Sequence, residues 1–196
     1  MIEIVSLKAT VGEQLLVDKD ALLSMIEWIS GEGCEQEDER LFIAELGERL
    51  RSIEFPVDRL TFHVMTLHPE YVGRTVAWAP NEAVEVLDRE QGVVPLFSRT
   101  PFYKVMKTGC SLVIGTGDEN GRWQDIDVFA DRQLAQMIIA PLGKGDAPVS
   151  VIAFGTARAG GFLPSQCQVI DRMLPALRNA WELQALRLED LSLIGN

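Results

Sequence analysis

The sequence predicts an α+β domain built around an antiparallel sheet. Hydrophobic residues recur at helical spacing near both ends of the chain, whereas short runs with a period of two occupy its middle, and no βαβ unit is apparent. A length of 196 residues suits one domain with short appendages. We expect a leader at 1–17, the domain at 18–187, and the end of a helix or a linker at 188–196.

Two helices are predicted ahead of the sheet. Asp20 is expected to cap the first, which ends at Gly31 and Gly33. Its apolar face consists of Leu22, Met25, Ile26 and Ile29. The second helix follows an acidic run and stops at Pro56. Its apolar face consists of Ile43, Leu46, Leu50 and Ile53.

From Val57 the hydrophobic period changes to two, which is typical of a strand. Both sides of this strand carry apolar residues, so we expect a central strand that is covered on each face. The sequence HPEYVGR, from His68 to Arg74, is expected to turn. TVAWAP and AVEVLDRE are then expected to form the next two strands of a meander.

A short helix is predicted between Thr100 and Gly109 because both of its ends carry capping signals. Thr100 is a suitable N-cap, Pro101 suits the first helical position, Lys107 suits the last turn, and Gly109 suits the position after the helix. Beyond it we expect a strand at 111–114, a short helix at 126–136, and a buried antiparallel hairpin formed by MIIAPL and VSVIAFGT.

The last predicted helix opens with Ser165 and Gln168 in capping-box spacing, bends at Pro175 and runs to about Leu193. A heptad seam and a second apolar stripe lie side by side on it, so one can cover the sheet while the other meets a partner helix. Monomers rarely expose a large apolar patch, and we therefore expect a parallel homodimer. The expected dimer interface is Ile170, Leu174, Leu177, Trp181, Leu188 and Leu191; the second stripe is Val169, Met173, Ala176, Ala180 and Leu183.

The composition disfavours several classes of function. A formal net charge of −11 would repel nucleic acid and anionic lipid, so neither is an expected partner. The three cysteines are an odd count without CxxC spacing, which fits a reducing compartment and a cytoplasmic location. No GxSxG or GxxxxGK[ST] motif is present, and only two histidines, His63 and His68, are available for acid–base chemistry.

Four segments together resemble the GAF-like sensory domain that precedes the catalytic domain in many bacterial class III adenylate/guanylate cyclases. They are PVDRLTFHVMTLHPEYVGRTVAW, SRTPFYKVMKTG, IIAPLGKGDAPVSVIAFGTARAGGF and QVIDRMLPALRNAWEL. The resemblance covers roughly Asp20 to Arg187. Its most specific part is LHPEYVGRTVAW, whereas the APL–turn–AFGT–GGF portion is typical of GAF folds at large.

This resemblance implies a six-stranded antiparallel sheet with dimerising helices on one face, and a short helix and loops over a small-molecule cavity on the other. It implies a regulatory module without catalysis of its own, acting on a separate cyclase catalytic domain. Bilin-binding relatives use a Cys followed by His, but Cys34, Cys110 and Cys167 are followed by Glu, Ser and Gln, so no covalent bilin is expected. Haem would require His63 or His68, and a lone histidine is more often structural.

For such a cavity we expect ligand-binding residues that are polar or aromatic: His63, Arg74, Trp78, Phe102, Tyr103 and Trp123. Arg74 can bind either an anion or a carboxylate side chain. The alternative for Trp78, Phe102 and Trp123 is that they are core residues only. Two further hypotheses stay open. One is a stand-alone dimerisation module without a ligand, whose interior is filled. The other is a small enzyme that uses His63 or Cys110.

Overall fold

The computed structural model describes residues 18–65, 71–90, 100–115, 133–143 and 150–194. Its helices are α1 (Lys19–Trp28), α2 (Glu39–Ser52), α3 (Pro101–Thr108) and α4 (Pro164–Ile194). Its strands are β1 (Arg59–Met65), β2 (Tyr71–Trp78), β3 (Glu85–Glu90), β4 (Leu112–Gly115), β5 (Gln136–Pro141) and β6 (Val151–Thr156). Within these ranges, no helix has both the length and the apolar character that a membrane span needs.

All six strands form one sheet in the order β3-β2-β1-β6-β5-β4. Every neighbouring pair is antiparallel, including the predicted β5–β6 hairpin. The predicted α+β class with a six-stranded antiparallel sheet is therefore confirmed. β1 is central and buried on both faces, as the apolar character of both its sides indicated.

One face of the sheet packs against α1, α2 and α4 in a single hydrophobic core. Aromatic rings connect its layers. The Trp28 ring of α1 stacks on Phe42 of α2 at 5.7 Å between centroids. The Phe62 ring of β1 stacks on Trp181 of α4 at 4.2 Å, with the two planes 9° apart. These stacks join the helical layer to the middle of the sheet.

The first two helices form where the apolar spacing predicts them, with small differences at their ends. Asp18 rather than Asp20 precedes α1, and α1 passes at Trp28 into a wide π-helical turn, Ile29–Gly33. The side chain of Asp38 caps α2 by accepting a hydrogen bond from the backbone N–H of Arg40 at 2.8 Å.

Two sequence-based boundaries are wrong. Tyr71, Gly73 and Arg74 belong to β2 rather than to the predicted turn, because the backbone from Gly73 onward pairs with β1. Gln136 begins β5 rather than ending a helix at 126–136, because it pairs with Gly115 and Thr156. The rest of that predicted helix, like the leader 1–17 and His68, lies outside the described residues.

The short helix α3 agrees with its predicted caps. The Thr100 side chain accepts a hydrogen bond from the backbone N–H of Tyr103 at 3.3 Å, and Pro101 occupies the first helical position. Gly109 ends the helix with φ +63°, a left-handed conformation that favours glycine. The capping residues were therefore sufficient to predict both ends of this helix from the sequence.

Helix α4 begins with a different cap from the predicted one. The backbone N–H of Leu163 donates to the Gln166 side chain at 2.9 Å, so Gln166 takes the role that spacing assigned to Gln168. The helix continues through Pro175 up to Ile194.

The chain itself covers both apolar stripes of α4 over their described length. Ile170, Leu174, Leu177 and Trp181 are at most 6% exposed and lie in the helix-side core, so they do not form the exposed seam that the sequence predicts. In the second stripe only Leu183 is exposed, at 45%. The side chains of Leu188 and Leu191 lie outside the part of α4 whose side chains the structure describes. The homodimer therefore stays a prediction, and Ile170, Leu174, Leu177 and Trp181 are removed from its expected interface because they are buried within the chain.

Candidate ligand-binding face

The sheet face opposite α1, α2 and α4 is called the α3 face here, because α3 packs on it. Strand alternation puts every second residue on this face, and the register aligns them from strand to strand. Its central part is formed by Arg59, Thr61, His63, Thr75, Ala77, Glu85, Ala153 and Gly155.

The β4–β5–β6 side of the α3 face is apolar. Phe102, Val105 and Met106 of α3 pack there in a second hydrophobic cluster, separate from the helix-side core. The sheet contributes Ile114, Met137, Ile139, Val151 and Ala153, and Leu134 joins from the segment before β5. The β1 and β2 residues of this face are buried as well: Thr61, His63, Thr75 and Ala77 are 3–8% exposed.

The β1–β2 side of the α3 face is polar although it is buried. His63 is 6% exposed, and its Nδ1 lies 3.0 Å from Oγ1 of Thr75 on the neighbouring strand. The His63 ring also contacts the Phe102 ring, with 4.0 Å between centroids. Thr61, at 5% exposed, lies next to His63 along the same face. An apolar wall with converging polar groups is the usual composition of a small-molecule site.

An ion pair lies at the opposite end of the same face. Arg59, the first residue of β1, donates from Nη2 to Oε2 of Glu85 on β3 at 2.9 Å. The Arg59 side chain is 9% exposed, whereas that of Glu85 is 46% exposed. Strand β2 lies between β1 and β3, so the two side chains meet across it.

The structure brings only part of the predicted site together. His63 and Phe102 are in contact. Tyr103 is half-buried on α3, where the ammonium of Lys107 lies 5.8 Å from its ring centroid. Trp123 lies outside the described residues.

Trp78 does not belong to the α3 face. It pairs with Leu60 in the register, so it points to the same side as Leu60 and Phe62, in the helix-side core. It is 2% exposed and lies directly under Gly47 of α2. The interpretation of Trp78 as a core residue is therefore the correct one, and the expectation that it shares a face with His63 is wrong.

Arg74 also lies on the helix side of the sheet. It pairs with Val64 in the register, and its guanidinium binds Asp88 of β3 at 2.6 Å and Glu39 of α2 at 3.1 Å. Of the two partners that the sequence left open, carboxylate side chains are the ones found. The hydrogen bond to Asp88 and the nearby Glu39 raise the pKa of Arg74, whereas burial raises the pKa of Glu39 against the attraction of Arg74.

The remaining candidates for chemistry are dispersed. Cys110 is exposed just after α3, and its Sγ lies 3.5 Å from the backbone oxygen of Thr108. Cys34 is buried beside the π-helical turn, and burial raises the pKa of the half-buried Cys167. No group of three or more metal-ligating side chains is found in the described ranges.

Sequence reasoning missed Arg59, Glu85 and Thr75 as members of this site. The sequence could have predicted Arg59, because residues 59, 61 and 63 alternate along one strand and so face the same side of the sheet as His63. Glu85 and Thr75 become neighbours of β1 only through the register of β2 and β3, which no local pattern states.

No known protein-family model matches the chain, and no curated protein matches it. Solved structures do match. The GAF domain of A. aeolicus nlh2 in an inactive state is 14% identical, with a TM-score of 0.57 over 87% of this chain and 99% of that one. The GAF domain of a two-component sensor histidine kinase from Bacillus halodurans is 9% identical, with a TM-score of 0.52 over 92% of this chain and 99% of that one.

An enzyme occurs among the similar structures as well. Free methionine-R-sulfoxide reductase from Neisseria meningitidis, in complex with its substrate, is 13% identical, with a TM-score of 0.57 over 85% of this chain and 93% of that one. At such low identities the likeness concerns the fold and not the activity. The sheet order, the two-sided helical cover and these neighbours together show that the chain has a GAF-like fold.

Proposed function

We propose that this chain is a sensory domain that binds a small molecule on its α3 face and transmits binding to α4. The GAF-like fold and the sensor-kinase GAF domain among its neighbours support a regulatory role. The segments from PVDRL to NAWEL, which resemble cyclase-associated domains, support an adenylate/guanylate cyclase catalytic domain as the output. None of the three cysteines forms a disulfide, which supports a cytoplasmic location.

The observation that carries this proposal is the position of two consecutive residues of β1. His63 faces the polar part of the α3 face, where it meets Thr75 and Phe102. Phe62 faces the other way and stacks on Trp181 of α4 at 4.2 Å. A ligand that displaces β1 from the α3 face would therefore also move Phe62 against Trp181 of α4.

Transmission requires a ligand that binds two arrangements of α4 unequally, since a ligand with equal affinity for both shifts nothing. A tightly packed ring stack suits this role, because packed cores switch between discrete arrangements rather than deforming continuously. We include a homodimer in the proposal, formed through the outer side of α4 around Leu183 and through the last part of the helix, where Leu188 and Leu191 follow.

Native mass spectrometry of the purified chain tests the proposal, because it reports both subunit number and any retained small molecule. We expect a dimer with a bound molecule. Thr75→Val and His63→Gln should lose that molecule, since both change the polar part of the α3 face without a large change in volume. Arg172→Gln, on the exposed side of α4, is the matched control and should keep it.

If wild-type protein retains no molecule, a metabolite library is screened by thermal shift against the same variants. A compound that raises the melting temperature of wild type and Arg172→Gln, but not of Thr75→Val, supports the proposal. A chain that neither retains nor binds any compound contradicts it.

A dimer without any ligand would favour the stand-alone dimerisation module instead. The burial of Thr61, His63 and Thr75, at 5–8% exposed, is the observation on its side, because a filled face needs no ligand. The thermal-shift screen separates the two functions.

A further inference from the structure

We propose that the ligand of the α3 face is an anion, a carboxylate or a phosphate, and that Arg59 is the residue that binds its charge. This inference rests on the proposed function and names the chemical class of the ligand. It starts from an arginine that is more deeply buried than its counter-charge.

The position of Arg59 is built into the fold. The backbone N–H of Asp58 donates to Gly155 at 2.8 Å, and the Asp58 carboxylate accepts from the backbone N–H of Ala157 at 2.7 Å. These bonds hold the start of β1 against the end of β6. Arg59 then lies opposite Gly155, where a Cβ would come within 3.2 Å of the Arg59 Cβ and 2.8 Å of Leu134. Glycine thus leaves the space that the arginine stem occupies.

The donors of Arg59 are only partly used. Nη2 binds Glu85, whereas Nε is buried and has no hydrogen-bond partner in the structure as described. Leaving a donor of a charged group buried and unpaired costs free energy. Nε and Nη2 form one edge of the guanidinium, and such an edge can bind a carboxylate or a phosphate with two parallel hydrogen bonds.

The charges around Arg59 favour an anion over a neutral ligand. The described side chains of the α3 face include a single acid, Glu85, which is 46% exposed and therefore screened by water. Helix α3 adds Lys104 and Lys107 and no acid. Among the described side chains of this face and of α3, cations therefore outnumber acids, in a chain with a net charge of −11.

The distance along the strand sets the size of the ligand. Arg59 and His63 are four residues apart on β1, so their Cα atoms are separated by roughly 13 Å. Between them the face carries the small residues Thr61, Ala77 and Ala153, which are at most 5% exposed, so a ligand along this line must displace the groups that cover them. An elongated acid would reach Arg59 with its anionic group and His63 and Thr75 with a hydrogen-bonding group at its other end.

The test uses succinate, inorganic phosphate and the neutral analogue succinamide as probes, titrated into the full chain and followed by NMR and thermal shift. We expect saturable binding of succinate or of phosphate, and none of succinamide. The arm that saturates identifies the anion as a carboxylate or a phosphate. Arg59→Gln should weaken binding at least about tenfold, whereas Arg172→Gln, which removes the same charge elsewhere, should leave it unchanged.

Glu85→Gln provides the sharper comparison. It removes the carboxylate that competes for Nη2, so anion affinity should rise, opposite in sign to the effect of Arg59→Gln. An arginine with a purely structural role would give lower stability in both variants and no gain in affinity in Glu85→Gln.

The outcomes separate this inference from the function on which it rests. If a neutral compound binds in a Thr75-dependent manner and Arg59→Gln binds it as wild type does, the anion assignment is overturned and the sensory function stands. If anions bind equally to wild type and Arg59→Gln, the assignment is also overturned. If no compound of any charge binds, both proposals fall.

Discussion

Gly47 lies where α2 crosses the sheet above Trp78, and the contact leaves no space for a side chain. A Cβ at this position would lie 2.5 Å from the Trp78 ring. Trp78 is 2% exposed and cannot move outward without opening the helix-side core. The close approach of α2 to the sheet therefore requires a residue without a side chain at position 47.

We predict that Gly47→Ala destabilises the protein by about 1–2 kcal/mol, since overpacking outweighs the higher helix propensity of alanine. Urea denaturation followed by circular dichroism measures the change. Gly115→Ala is the control, because a Cβ there meets its nearest neighbour at an ordinary 3.5 Å. Equal stability of Gly47→Ala and wild type would show that α2 does not pack closely on Trp78.

Glu39 is a carboxyl group whose ionisation opposes folding. Its side chain is 8% exposed, and desolvation raises its pKa although Arg74 lies 3.1 Å away. Asp38 and Asp88 raise it further by repulsion. The folded state therefore binds the proton more tightly than the unfolded state does, so this group lowers stability as the pH rises.

We predict a pH-dependent difference between wild type and Glu39→Gln. As the pH rises from the ordinary carboxyl value of 4.5, the free energy of unfolding of wild type should fall relative to that of the variant, which cannot ionise. Denaturation of both proteins across this range gives the difference directly. A difference that grows in favour of wild type would mean that the ion pair with Arg74 outweighs desolvation.

At the scale of elements, β1 is the strand that both sides of the molecule contact. Its alternate residues contribute Phe62 to the helix-side core and His63 to the α3 face. β6, its neighbour, shares this two-sided burial, but its Phe154 is not stacked on Trp181 in the described structure. Coupling between ligand and α4 should therefore depend on Phe62.

We predict that ligand binding changes hydrogen exchange in α4, and that Phe62→Leu abolishes this change while the ligand still binds. Exchange followed by mass spectrometry over 164–194 measures it. Phe154→Leu removes a ring of the same size from the same core and should preserve the response. Loss of the response in both variants would indicate general loosening of the core rather than transmission through the Phe62–Trp181 stack.

At the scale of the whole molecule, the apolar residues of α4 whose side chains are described pack almost entirely against other parts of the same chain. Its exposed side carries Gln168, Asp171, Arg172, Pro175, Asn179, Glu182 and Leu183. Leu183 is an exposed apolar residue on this side, and it lies nearest to Leu188 and Leu191 of the expected interface. It is therefore the position at which we test dimerisation.

We predict that Leu183→Glu weakens the proposed homodimer at least about tenfold, measured by analytical ultracentrifugation over a concentration series. Leu87→Glu is the control, because Leu87 is 62% exposed on the edge strand β3, away from α4. A wild-type chain that is monomeric at every concentration would contradict the dimer, and an unchanged dimer in Leu183→Glu would place the interface elsewhere.

Local patterns in the sequence determined the class of fold, the α3 caps and the apolar faces of the helices, because spacing and capping act over a few residues. Only the tertiary structure decided which side of the sheet each strand residue faces. Trp78 and His63 separate because Trp78 pairs with Leu60, and Arg59 becomes a buried cation because Gly155 and Glu85 meet it from other strands. Likewise, α4 had two apolar stripes in the sequence, but packing alone decided that its own sheet and helices cover them. Such pairings join residues distant in the chain, and no local period encodes them.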